Sequence, residues 1–90
     1  MNEYPVMKAL EELIGNGMIP LPETYAEGKT LIVGEDVRDR YRAELNEMVG
    51  TNVEEGALHF YGHAVVAGEE HAPPGRPILD LRHRLEESVR

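Results

Sequence analysis

The chain lacks cysteine, tryptophan and glutamine, and it has one serine, one phenylalanine and only two lysines. Without cysteine it can build no disulfide framework, no thiolate zinc site, no iron–sulfur cluster and no thiol nucleophile. Its single serine, Ser88, stands at the C-terminal end of the sequence, a poor position for a catalytic hydroxyl. Long apolar runs are missing too. The longest, Leu31-Ile32-Val33 and Ala64-Val65-Val66-Ala67, fall far short of the ~20 residues that span a bilayer as a helix. Met1-Asn2-Glu3-Tyr4-Pro5 is acidic and interrupted by proline, unlike the basic and then apolar start of a secretory signal. A cytoplasmic protein is expected.

Excess positive charge is also missing. Aspartate and glutamate number 17 against 9 lysines and arginines, for a formal net charge of -8. The balance is -3 over residues 1–34, -4 over 35–56, -2 over 57–75 and +1 over 76–90. Binding to duplex nucleic acid or to an anionic membrane needs a basic face. Only a local patch of Arg76, Arg82, Arg84 and Arg90 offers one. No direct nucleic-acid contact, no membrane contact and no cofactor is therefore expected.

What is present suits one small folded domain over 1–90, with 41% hydrophobic and 29% charged residues. Its core is modest, since a chain of this size hides only about 60–65% of its unfolded surface. Val6, Met7, Leu10, Leu13 and Ile14 recur at helical spacing, with Pro5 suited to the first turn and Gly15-Asn16-Gly17 to the stop. A helix over 5–15 follows. Met18-Ile19-Pro20-Leu21-Pro22 is predicted as an extended arm, because each proline biases its predecessor away from helix. Ile19 and Leu21 would cover an edge of the core. A short strand is predicted over 29–33 and a second helix over 36–49, with Val37, Tyr41, Leu45, Met48 and Val49 turned inward. The charges of that helix interlock as Asp36–Arg40, Arg40–Glu44 and Asp39–Arg42, pairs worth about 0.2–0.5 kcal/mol each on a solvated face.

Ala57 to Ala67 reads as one strand interrupted by Gly62, and Gly68 to Gly75 as a loop. Arg76 to Arg90 fits a helix that buries Ile78, Leu81, Leu85 and Val89, or a strand that forms a hairpin with the preceding one. Its leucine, arginine and glutamate content favours helix. The fold class is α+β, of order α-β-α-β-α or α-β-α-β-β, a thin sheet packed by two or three helices. Thin sheets with open edges favour completion by a homodimer.

Two constellations stand out. In His59-Phe60-Tyr61-Gly62-His63, a flat strand would put both histidines on one face but roughly 13 Å apart. One zinc ion cannot join them unless Gly62 forms a bulge. With His71 they are the candidate metal ligands. Alternation assigns Leu58, Phe60, Ala64 and Val66 to a core face. His59, Tyr61, His63 and Val65 fall on a polar-aromatic face suited to a small-ligand pocket or a subunit contact. A histidine–tyrosine acid–base pair is conceivable there, but nothing else in the chain completes it. The second constellation is four glutamate pairs: Glu11-Glu12, Glu54-Glu55, Glu69-Glu70 and Glu86-Glu87. No calcium-loop spacing gathers them, so they serve solubility or offer a negative surface to a basic partner.

These features point to a non-enzymatic regulatory or accessory module that binds another protein, with Tyr61, Glu54, Glu55, Glu69 and Glu70 as candidate contact residues. One alternative is a small-ligand or metal-binding protein built on His59, Tyr61 and His63. Another is a nucleic-acid mimic that occludes a basic partner surface.

Overall fold

The computed structural model describes residues 3–23 and 28–88, with side chains as far as Leu85. Helix α1 spans Pro5–Gly15 and buries Val6, Met7, Ala9, Leu10 and Leu13, the predicted stripe. The arm that follows divides its two apolar residues: Ile19 is buried in the core, whereas Leu21 is 61% exposed. Strand β1 (Thr30–Ile32) leads through Gly34 into α2 (Glu35–Val49), which Gly50 ends in the left-handed conformation at φ 76. Val37 and Tyr41 of α2 are buried, but Met48 and Val49 are about half exposed. The inward stripe therefore stops one turn early, because the last turn of α2 projects past the core.

The predicted strand at 57–67 is a hairpin. Strand β2 (His59–Phe60) and strand β3 (His63–Val66) pair antiparallel, with His59 opposite Ala64 and Phe60 opposite His63. Between them Tyr61 and Gly62 both take positive φ, 48° and 85°. That is the turn whose twist matches two adjoining strands. The C-terminal segment is neither all helix nor all strand. Strand β4 (Ile78–Asp80) pairs parallel with β1 rather than with the hairpin, and α3 (Arg82–Ser88) follows at once. Leu81 makes the switch: its N–H donates to the Ile32 carbonyl, and its own carbonyl accepts from Leu85. Asp80 fixes the corner, its carboxylate accepting from both the Arg82 backbone N–H and the Arg82 guanidinium. Val89 lies outside the described residues.

The result is an α+β domain with a four-stranded mixed sheet of order β2-β3-β1-β4. Among the described residues, no helix is long and apolar enough to cross a membrane. Register sorts the side chains by face. Leu31 is level with Val65 and Leu79, and this row meets the helices, joined in the core by Phe60, Val37, Leu81 and Leu85. Thr30, Ile32, Ala64 and Val66 occupy the other face. The connection from β1 to β3 through α2 and the connection from β3 to β4 through residues 67–77 run in opposite directions across the sheet. Right-handed crossovers then place them on opposite faces. Accordingly Thr30 and Ile32 are fully buried on the face opposite the core row.

The sheet edges, which favoured a dimer at the level of sequence, are blunted within the chain. Strand β2 is two residues long and its His59 carbonyl accepts from the Tyr41 hydroxyl at 2.5 Å. Strand β4 has three residues, preceded by Pro77 and closed by the Asp80–Arg82 pair. Short strands, proline and charge are common means of stopping edge-to-edge pairing.

The start of α1 depends on α2. Tyr4 at the N-cap offers no side-chain bond. Instead Glu44 reaches across, its two carboxylate oxygens accepting from Val6 N–H and Met7 N–H at 2.9 Å each. Glu44 is 8% exposed, so it does not stand on the solvated face that helical spacing suggests. Arg42 likewise turns from Asp39 and donates to the Val53 carbonyl at 2.7 Å. We expect Glu44→Ala to cost about 3 kcal/mol in urea unfolding, because two buried donors lose a charged acceptor. Glu44→Gln, which keeps one acceptor, should lose about half as much.

Candidate functional site

A cleft of about 400 Å³ lies along β3. Its floor is β3 and its end: Ala64, Val66 and Ala67. One wall is the 3-10 turn Glu55–Ala57, the other the crossover that contains a second 3-10 turn, Glu69–His71. Arg38, Glu55, Leu58, His59, Val65, His71, Pro73 and Arg76 also line it.

Each wall is fastened from behind. The loop that leads into the first turn is stitched to α2 by Arg42 on the Val53 carbonyl and by Val53 N–H on Asn46. Arg38, in the first turns of α2, forms ion pairs with Glu55, with Asp39 at 2.9 Å and with Glu35 at 3.9 Å. Burial pulls the Arg38 pKa down, but the Asp39 hydrogen bond and the surrounding carboxylates more than offset it and raise it above the ordinary value. His59 bonds the Ala57 carbonyl through Nδ1 at 3.0 Å. A carbonyl only accepts, so Nδ1 carries the proton in that bond. At the opposite end Arg76 donates to the Gly62 carbonyl at 3.0 Å.

The sequence candidates part company in the fold. The two-residue turn reverses parity, so His63 joins Phe60 and Val65 on the helix-facing side while His59 joins Ala64 on the other. The expected shared face of His59, Tyr61, His63 and Val65 therefore does not exist. His63 is fully buried. Its Nδ1 accepts from Lys29 N–H at 2.8 Å and its Nε2–H donates to the Pro20 carbonyl at 2.7 Å. Both ring nitrogens are engaged, and they tie the arm to the start of β1. Gly28 makes room for this junction, since a Cβ there would stand 2.0 Å from the Gly62 carbonyl oxygen.

His71 reaches the cleft beside His59, but among the described residues no three of His, Asp and Glu gather as a metal site. Tyr61 lies at the hairpin tip, 57% exposed, edge-on to Phe60 with ring centroids 4.8 Å apart. It does not line the cleft. Of the glutamate pairs, Glu54-Glu55 and Glu69-Glu70 stand at the starts of the two 3-10 turns, and of these four carboxylates only Glu55 lines the cleft. Glu11-Glu12 stays on the exposed side of α1, and the side chains of Glu86-Glu87 lie outside those described. Sequence reasoning passed over Arg38 and marked Arg76 only as a member of a basic patch. The acids at positions 35 and 39 around Arg38 were a usable signal, whereas nothing local marks Arg76.

Two measurements check how the site is held. His63→Ala should destabilise the fold by about 3 kcal/mol, since it strands a donor and an acceptor and leaves a cavity. Hydrogen exchange should speed up at the Lys29 amide. Burial, helped by the Glu44 carboxylate, pushes the Tyr41 phenol up to about 12. A folded-state value above the ordinary one of about 10 means that the stability held by the neutral phenol is complete below pH ~10 and fades as pH rises through ~12. Wild type should show this alkaline loss in denaturant titrations, and Tyr41→Phe should not.

The chain matches no protein-family model, and neither a curated protein nor a solved structure is significantly similar to it.

Proposed function

We propose that this chain is a non-enzymatic module that acts by binding another protein, and that the bound segment lies in the cleft between the two 3-10 turns. One observation carries the reading: two 3-10 turns distant in sequence border a single cleft with an apolar floor, which Glu55 lines from one turn and His71 from the other. Three of the side chains of reactive type around it support binding over catalysis, because each of the three builds a wall. Arg38 holds Glu55, His59 holds the Ala57 carbonyl, and Arg76 holds the Gly62 carbonyl. A regulatory or accessory role follows from binding alone.

The small-ligand and metal alternative keeps one supporting observation, since His59 and His71 both line the cleft. Calorimetric titration with Zn²⁺ separates the two. Heat that disappears in His59→Ala would favour the metal reading, and no heat is expected.

Filling the cleft tests the proposal directly. Ala67→Phe should fold with wild-type stability to within about 1 kcal/mol, as its position is only half-buried. It should no longer retain the protein that wild type retains from lysate, whereas Glu11→Lys on the opposite side should retain it fully. Equal retention by Ala67→Phe would move the binding surface elsewhere.

A further inference from the structure

We infer that His63 is an acid-sensitive latch: when its ring takes a second proton, the arm at Pro20 and the start of β1 at Lys29 come apart while the rest of the domain stays folded.

The two bonds of the ring settle its protonation. The Lys29 N–H can only donate and the Pro20 carbonyl can only accept, so Nδ1 is bare and Nε2 carries the hydrogen. The latch is therefore closed by the neutral ring alone, and neither nitrogen keeps a lone pair for a metal. A proton added at Nδ1 would set two donors face to face across 2.8 Å. It would also charge a side chain that has no exposed surface, which a fold tolerates only beside a counter-charge.

Among the described residues no counter-charge is at hand. The core side of α1 is Val6, Met7, Ala9, Leu10 and Leu13, without a titratable group. Helix α3 contributes Leu85, while its Arg82, His83 and Arg84 are exposed. Helix α2 contributes Tyr41, whose hydroxyl donates to the His59 carbonyl. It also contributes Glu44, the one buried carboxylate, whose two oxygens already accept from Val6 and Met7. Glu23 of the arm is exposed. The charges next to the latch have the wrong sign: Lys29 is a cation, and Arg76 brings its guanidinium to the carbonyl of Gly62, the residue before His63.

A proton is thus taken up only once the two bonds have opened. A freed imidazole binds it near pH ~6.5. The open form then holds more protons than the closed one, so the latch is at full strength above that pH and weakens about tenfold for each unit below it. Opening stays local because other bonds hold the neighbouring segments. The Ile19 N–H donates to the Leu13 carbonyl, the Thr30 N–H to the Pro77 carbonyl and the Val33 N–H to the Val66 carbonyl. None of these involves a group that titrates.

Hydrogen exchange of the intact protein, corrected for the intrinsic rate at each pH, reads the latch at the Lys29 amide and the sheet at the Val33 amide. From pH ~7.5 to ~5.5, protection at Lys29 should fall about tenfold, the proton uptake of one freed imidazole. Protection at Val33 should change by less than about twofold. In His63→Gln, whose amide accepts and donates but does not titrate, the fall at Lys29 should vanish. Constant protection at Lys29 in wild type, a parallel fall at both amides, or a fall that persists in His63→Gln would each overturn the latch. If circular dichroism shows that His63→Gln does not fold, nitrogen NMR of the wild-type histidine rings decides. The His63 ring should keep one bare nitrogen for as long as the Lys29 amide is protected, and a doubly protonated ring beside a protected amide would overturn the proposal.

Discussion

Two amide hydrogens at the start of α1 find their acceptor 38 and 37 residues away, in the carboxylate of Glu44. A helix leaves its first N–H groups without partners, and buried ones must be met from outside the helix. Meeting them with one carboxylate locks the relative position of α1 and α2. Less than one turn before Glu44, Tyr41 fixes β2 by its bond to the His59 carbonyl. On the same helix Asn46 and Arg42 hold the loop beyond its C-terminus, and Arg38 holds the first 3-10 turn. Helix α2 is thus the part on which the other elements are hung, and its polar side chains do the hanging.

Those side chains are also where the sequence misled. Helical spacing correctly marks α1 and the span of α2, because periodicity and terminal glycine signals are local. Whether a glutamate such as Glu44 points to water or to a distant helix end depends on a contact dozens of residues away, and Arg40 four positions earlier offers a plausible local partner. The hairpin was missed for a different reason. Tyr-Gly is a weak turn signal beside Asn-Gly or Asp-Gly, and eleven residues rich in valine and aromatics look like one strand. The segment from residue 76 resisted assignment because a three-residue strand and a seven-residue helix share one window. Only the Asp80–Arg82 corner separates them.

The site was half legible. Glutamate 55 and histidines 59 and 71 were marked by type, and they do line one cleft. Their meeting depends on the crossover from β3 to β4, which composition reveals only as a loop. His63 shows the reverse. Its residue type suggests chemistry, while its surroundings make it a rivet between Pro20 and Lys29.

The two faces of the sheet are covered by unlike materials. Helices with continuous hydrogen-bond ladders lie on one. On the other lies an irregular crossover whose regular structure is a single 3-10 turn, together with a buried Thr30 hydroxyl that has no partner among the described residues. Opening free energy is set locally by how many bonds and apolar contacts must break. The crossover is therefore expected to open at a lower cost than α1, α2 or the sheet, in an opening confined to one face of the domain.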